Sequence, residues 1–217
     1  MHASASPLGL LGGSFDPVHN AHFAIAHSAL ALLGLERLLW LPSGVPPHRA
    51  APVASATARL EMLRLAIEGE PRFAVDAREL ALATPSYTVD TLVAMRREYG
   101  EARALVLLIG SDQFTRLATW HRWQKLFELA HLAVFARPGW LLDAGAPDEL
   151  RRQYLQRRCS PGADWRLRGA GRIIDVPMAP LAISSTEVRA RIARGDAPHG
   201  LIPPAVLEYI SENRLYQ

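Results

Sequence analysis

Gly12-Gly13-Ser14-Phe15-Asp16-Pro17-Val18-His19-Asn20-Ala21-His22 is the stretch on which the rest of the chain turns. The apolar run Leu8-Gly9-Leu10-Leu11 leads into it, and a helix-forming run over residues 23–33 leads out. That order predicts a strand, a glycine turn and a helix N-terminus. Gly12 and Gly13 can adopt backbone angles closed to other residues and let a ligand approach the main chain. The first turn of a helix has free N–H groups and the positive end of its dipole, so the two together make a phosphate site. His19 and His22 lie three residues apart and share one helical face. Two imidazoles beside a phosphate cradle point to chemistry on the phosphate as well as binding. Each feature alone has a plainer explanation: Gly-Gly after a strand also makes an ordinary turn, and a histidine pair three apart also serves as a metal site or a capped core pair.

Outward from this unit, strand-like and helical runs alternate. Residues 37–41 read as a short buried strand, stopped by the prolines of Pro42-Ser43-Gly44-Val45-Pro46-Pro47-His48-Arg49. Residues 57–68 read as a helix with Leu60, Leu63 and Ile67 on one side, Met62 and Leu65 off that line and Arg64 toward solvent. A strand at 73–75, a turn at Pro85-Ser86-Tyr87-Thr88 and a helix over 89–97 follow. The clearest buried strand, 104–109, ends in Gly110-Ser111-Asp112. Thr119 is expected to cap a helix running through 129. Strands are expected at 132–136, closed by Arg137-Pro138-Gly139, and at 173–176. Ser184 or Ser185 caps a helix through 193, and Pro203-Pro204 starts a terminal helix to about 213. The alternation predicts an α/β fold, a Rossmann-like doubly wound parallel sheet with helices on both faces, in a single domain over 1–217 whose C-terminal helical part (about 184–217) packs on it. Such sheets bind ligands at the carboxyl ends of their strands. His19, His48, Asp112, Arg137 and Ser184 each follow a strand or turn and are expected to converge there. Residues 140–171 are the least readable, with Arg151, Arg152, Arg157, Arg158, Arg166 and Arg168. A solvated helix and loop is the plain reading, and a subunit contact or a nucleotide-facing lid the alternative.

A chain of 217 residues, 49% hydrophobic and 21% charged, suits one globular domain with a sizeable core. Its formal charge of +3 and pI near 9.4 favour anionic small molecules and are too small to argue for nucleic acid. The one cysteine, Cys159, excludes an intrachain disulfide and points to a reducing compartment. Residues 1–7 carry no secretion signal, and the most apolar helix is too short to span a bilayer, so a cytoplasmic protein without a membrane partner is expected.

A second motif is Ile183-Ser184-Ser185-Thr186-Glu187-Val188-Arg189. Hydroxyls at a helix start with an arginine one turn on offer donors to phosphate, although Ser184 with Glu187 also makes an ordinary capping box. Taken with the opening stretch, it resembles the second signature of the nucleotidylyltransferase superfamily. The first signature is the glycine-led turn with Phe-Asp-Pro and a His/Thr-x-Gly-His pair. Ala21 stands where that pair usually has glycine, so its methyl group falls where a base would approach the backbone. Over nearly the full chain the sequence resembles the bacterial nicotinate-nucleotide adenylyltransferases. Val45-Pro46-Pro47-His48-Arg49, Pro85-Ser86-Tyr87-Thr88, Ile109-Gly110-Ser111-Asp112, Thr119-Trp120-His121, Arg137-Pro138-Gly139 and the ending Leu201-Ile202-Pro203-Pro204-Ala205-Val206 with Tyr209-Ile210 carry the likeness.

The resemblance implies that ATP and nicotinate mononucleotide give deamido-NAD and pyrophosphate, with magnesium bound mainly through the ATP phosphates and no dedicated protein metal site. It implies His19 and His22 as catalytic groups. Gly12, Gly13, Ser14, Phe15, Gly110, Asp112, Ile183, Ser184, Ser185 and Arg189 would bind ATP, with Asp112 on the ribose. Thr88, Trp120 and His121 would take the pyridine ring and its carboxylate, and His48, Arg49 and Arg137 the acceptor phosphate. Thr88 and Trp120 are each expected to begin a helix, whose N–H groups suit a carboxylate. Position 121 often carries tyrosine in relatives, and backbone recognition would survive that change. Rival readings are the same chemistry on nicotinamide mononucleotide, with dual specificity, or on phosphopantetheine, which has no ring to stack on Trp120. A non-catalytic nucleotide sensor would have lost a histidine or the Ile183–Arg189 motif. A homo-oligomer is left open by the sequence.

Overall fold

The strands form where apolar residues run without a break, because both of their faces are covered. The computed structural model describes residues 6–44, 51–82, 84–136, 142, 146–179 and 181–217. In chain order the strands are β1 (Leu8–Gly13), β2 (Arg37–Pro42), β3 (Phe73–Val75), β4 (Leu105–Gly110), β5 (His131–Ala136), β6 (Arg158–Cys159) and β7 (Ile173–Pro177). The helices are α1 (Asn20–Leu32), α2 (Ala56–Ile67), α3 (Thr88–Tyr99), the single turns α4 (Ser111–Phe114) and α5 (Leu126–Leu129), α6 (Asp148–Arg157), α7 (Ser185–Ala193) and α8 (Pro204–Glu212). The strands make one sheet in the order β3-β2-β1-β4-β5-β7-β6. Every neighbouring pair is parallel.

Alternate residues of each strand feed two separate cores. Leu38, Trp40, Val106, Leu108, Phe135 and Val176 belong to the cluster that includes α1, α2 and α8. Leu39, Leu41, Leu105, Leu107, Ile109 and Val134 belong to the one that includes α3, α5 and α6. Helices therefore cover both faces, as the alternation predicted. Strand order runs one way from β1 to β2 and β3 and the other way through β4 and β5, so the order reverses between β1 and β4. A crevice opens at such a reversal, outside the carboxyl ends of the strands. Gly12 and Gly13 end β1 and Gly110 ends β4, so both motifs border it.

Three expectations differ from the structure. In α2 the buried face is Ala58, Arg59, Met62 and Leu63. Met62 is fully buried, whereas Leu60 and Ile67 are only partly so. The cause is tertiary: α2 lies under α8 as well as along the sheet edge, which widens and rotates its buried stripe. Thr119 does not cap a helix through 129. It closes a 3-10 turn (Leu117–Thr119), and its hydroxyl donates back to the Arg116 carbonyl at 2.8 Å. Trp120 is extended, and Arg122 takes a left-handed conformation (φ 51°) that no helix tolerates, so the helical turn α5 starts only at Leu126.

The arginine-rich segment is the third. It is neither wholly solvated nor a lid over the crevice among the described residues. Arg166 donates to the Leu33 carbonyl at 2.9 Å, Arg157 to the Gly171 carbonyl at 3.2 Å, and Arg158 pairs with Asp175 at 3.0 Å. Arg151, Arg152 and Arg168 keep contact with solvent.

Candidate active site

The turn after β1 is held by side chains from far along the chain. Arg59, buried behind it, donates to the Ser14 carbonyl at 2.7 Å. The Asp16 carboxylate is buried and accepts from the N–H groups of Val53 (2.8 Å) and Ala54 (3.0 Å) and from the Tyr216 hydroxyl (2.8 Å). The Ser185 hydroxyl donates to the Pro17 carbonyl at 2.9 Å, and Arg189 donates to the Asp16 carbonyl at 2.6 Å. These bonds fix the direction in which α1 leaves the turn. A methyl group added at Gly12 would meet no protein atom within 4 Å. Glycine there is not required by packing and leaves the main chain open to a ligand.

His19 stands at the N-cap of α1 and His22 one turn in. Their rings stack at 3.7 Å, and Phe15 meets His22 edge-on at 5.1 Å. Burial lowers the His19 pKa from its usual 6.5 to about 4, and the polar groups of its own backbone oppose that shift only in part. Burial, reinforced by the neighbouring His19, holds His22 well below the usual histidine range. Both rings are therefore neutral near pH 7 when the site is empty. His22 Nδ1 accepts from the His19 backbone N–H at 3.1 Å. A neutral imidazole has one donor and one acceptor nitrogen, so the His22 proton sits on Nε2 and that nitrogen is the donor. His19 Nδ1 is buried with no hydrogen-bond partner among the described residues.

Beside this turn lies a cavity of about 680 Å³ at the β1–β4 crevice, within the ordinary size of ligand pockets. Gly12, Gly13, Ser14, Asp112, Ser184, Thr88, Trp120 and His121 line it, all picked from the sequence. Phe15, His19, His22, Gly110, Ile183, Ser185 and Arg189, also picked from the sequence, are not among its lining residues. His48, Arg49 and Arg137 lie outside the described residues.

The two walls differ in kind. On one, Asp112 is well exposed, and its carboxylate makes only a loose pair with Arg116 at 3.6 Å. It makes no helix-capping bond, and the side chain is 74% exposed. On the other, Thr88 is the first residue of α3, and no side chain caps that helix. The Asp90 N–H bonds back to the Tyr87 carbonyl at 3.0 Å, so the free donors of this helix end are at Thr88, which lines the cavity, and Val89. Tyr87 and His121 bring their rings within 4.5 Å and join this wall to the Trp120 segment. Trp120 is half-buried against the α3 side core, but its backbone N–H already bonds to the Leu117 carbonyl at 2.9 Å. The expected second helix end at Trp120 therefore does not exist.

Several lining residues were not singled out beforehand. Glu79 accepts from the hydroxyls of Ser86 (2.8 Å) and Thr91 (2.7 Å) and ties the start of α3 to the 3-10 turn Arg78–Ala81. Gln113, Arg116 and Thr186 also reach the cavity. Thr186 was legible in its motif. Glu79, Arg59 and Tyr216 had no local signal, because each acts through a partner elsewhere in the chain.

A parallel doubly wound sheet with a glycine turn, two neutral histidines and a hydroxyl-rich helix start at one crevice defines a nucleotide-binding α/β protein built for phosphates. The cytidylyltransferase-like family description matches residues 10–191. A Dechloromonas aromatica protein named "Probable nicotinate-nucleotide adenylyltransferase" is 44% identical over 98% of this chain and 99% of its own. A Laribacter hongkongensis protein of the same name is 47% identical over 97% of this chain and 94% of its own. Among solved structures, Plasmodium falciparum nicotinic acid mononucleotide adenylyltransferase, complexed with NaAD, aligns with a TM-score of 0.72 at 16% identity. That alignment covers 97% of each chain. The chain belongs to the cytidylyltransferase-like family, in the branch of the bacterial nicotinate-nucleotide adenylyltransferases.

Proposed function

We propose that this protein transfers the adenylyl group of ATP to nicotinate mononucleotide, giving deamido-NAD and pyrophosphate, in NAD biosynthesis. One observation carries the reading: a single cavity joins a phosphate turn and an exposed carboxylate at Asp112 to an uncapped helix end and a tryptophan, in a chain of this family. That is one half-site for a nucleoside triphosphate and one for an aromatic anion.

An oxygen of the acceptor phosphate attacks the α-phosphorus of ATP in line. The new P–O bond forms as the bond to the bridging oxygen breaks, and that electron pair leaves with pyrophosphate. Positioning and charge stabilisation suffice for such a step, with no covalent enzyme intermediate. The Nε2–H of His22 and the His19 ring donate to the phosphates as charge builds. Gly12, Gly13 and Ser14 cradle them, and Ser184 and Thr186 offer hydroxyls. Ser185 and Arg189 can serve the outer phosphates only by exchanging their bonds to the Pro17 and Asp16 carbonyls. Asp112 accepts from the ribose hydroxyls, beside Gly110, Phe15 and Ile183. Thr88, Trp120 and His121 take the pyridine, and His48, Arg49 and Arg137 the acceptor phosphate.

No group of three or more His, Cys, Asp or Glu able to hold a metal occurs among the described residues, and the Asp16 carboxylate is engaged by its own donors. The donor set addresses phosphate oxygens, so it fits magnesium arriving on the nucleotide. Magnesium would neutralise and polarise those phosphates. No described helix is long and apolar enough to cross a membrane, and the reading places the reaction in the cytoplasm.

Pyrophosphate release from ATP with each acceptor in turn tests this. The uncapped α3 end offers donors only, which suit a carboxylate's two acceptor oxygens and leave an amide NH₂ without a partner. An unpaired buried polar group costs roughly 1–3 kcal/mol, so kcat/KM should favour the acid form by about tenfold or more. Equal use of the amide form would make a dual-specificity enzyme the better reading. ATP binding without pyrophosphate release in the presence of any acceptor would leave a nucleotide sensor.

A further inference from the structure

The turn that carries the histidines is not self-supporting. Phe15 holds a left-handed backbone (φ 48°), which a non-glycine residue keeps only when its surroundings enforce it. Its enforcement converges on Asp16. Two of the donors to the Asp16 carboxylate are backbone groups just ahead of α2. Arg189 Nη1 lies 3.6 Å from the same carboxylate and bonds the Asp16 carbonyl. Among the described residues the remaining donor is the Tyr216 hydroxyl, 200 residues away in sequence. Tyr216 itself holds a left-handed backbone (φ 65°), as does Arg214 (φ 50°). Two unfavourable conformations in a terminal tail persist only where the tail is docked. The Tyr216 side chain packs with the α2–α8 core, and its hydroxyl points inward to a carboxylate rather than to water. Burial, with help from Asp16, pushes the phenol above its usual pKa, so it stays protonated and donates.

Resting on the transfer reading above, we propose that Tyr216 is a positioning residue for catalysis: the chain terminus latches onto Asp16 and thereby sets where His19 and His22 stand. Of the donors to the Asp16 carboxylate, two are backbone groups that no side-chain change removes. Arg189 would be drawn toward the phosphates when nucleotide binds. Tyr216 is then the side-chain donor that remains on Asp16 through turnover. Its loss lets the turn shift by fractions of an ångström, which matters little for binding and much for in-line geometry.

Tyr216→Phe keeps the ring and removes only the hydroxyl. With both substrates saturating, kcat should fall about tenfold, with each KM within about twofold of wild type, the pattern for loss of an interaction that matters only in the transition state. In the nucleotide-free protein the ring nitrogen resonances of His19 and His22 should move. Tyr209→Phe, on α8 and away from Asp16, should change neither. The proposal is overturned if folded Tyr216→Phe keeps wild-type kcat. It is equally overturned if kcat falls only together with the folded fraction at assay temperature, which would make the latch merely structural. Should wild type transfer adenylyl groups to no acceptor, the function reading fails on its own, and the histidine resonances alone decide the latch: no movement overturns it.

Discussion

At the amino ends of the strands, the buried Arg96 guanidinium donates to the carbonyls of Leu129 (2.7 Å), Gly100 (2.9 Å), Arg103 (2.6 Å) and Gly169. Beside it, the fully buried His131 accepts from the Arg172 N–H at 3.1 Å and lies 2.9 Å from the Arg168 carbonyl. At the carboxyl ends, by contrast, α3 starts without a side-chain cap, and among the described residues Gly12 has open space beside it, His19 Nδ1 has no partner and the Asp112 side chain is largely exposed. Around Arg96 and His131 the polar groups are satisfied inside the protein, although the buried Nε atoms of Arg37 and Arg103 near that edge are not, whereas around the crevice donors and acceptors are held in reserve. Saturated groups there stabilise loop crossings, whereas unsaturated groups at the crevice cost stability that a ligand can return.

Substitutions at the two edges should therefore separate activity from stability. The largest effect is expected for His22→Ala: removing one preorganised donor costs about 2.7–4 kcal/mol, or a hundredfold or more in turnover. Its melting temperature should stay close to wild type, and near-normal turnover would remove His22 from the chemistry. Arg96→Met should do the reverse. Leaving several carbonyls without their donor should cost about 3 kcal/mol by urea unfolding, while the folded fraction keeps its kcat. A large kcat loss at full folding would break the contrast.

The third test is pH. Burial lowers the His131 pKa from 6.5 to about 4, with the Arg168 carbonyl opposing the shift. The unfolded chain then binds the proton more readily, so stability is full above pH 6.5 and is lost as pH falls toward 4. His131 should contribute at most about 3 kcal/mol to that loss. His131→Gln should be less stable at pH 7, and the gap to wild type should narrow by pH 4.5. A constant gap would show that His131 does not titrate as buried. The smallest effect is expected for Asp112→Asn, which should weaken ATP binding by about tenfold, the worth of a charge-assisted bond, with acceptor binding little changed. Equal losses for both substrates would move Asp112 out of the ribose site.

The motifs at 12–22 and 183–189 were legible because a turn, a cap and the first helical turn are decided by residues a few positions apart. The two-sided core was equally readable, since β4 is apolar throughout and its two faces simply divide Leu105, Leu107 and Ile109 from Val106 and Leu108. The helix expected from Thr119 failed for a reason that capping patterns do not contain. Thr119 bonds backward to Arg116, and Arg122 turns left-handed. With it went one of the two helix ends expected to recognise the carboxylate, so that argument now rests on Thr88 alone.

By itself, the sequence determined the strand and helix alternation, the parallel sheet and the crevice to which Gly12, Asp112 and Ser184 belong, because each follows from short-range periodicity and local backbone preference. Only the tertiary structure decided which groups are free and which are engaged. Arg189 and Ser185 bond the turn, Glu79 takes two hydroxyls of the α3 wall, and Tyr216 reaches Asp16 from the far end of the chain. Hydrogen-bond partners are chosen by proximity in the folded state, and a distance of 200 residues along the chain leaves no periodic or local trace of that choice.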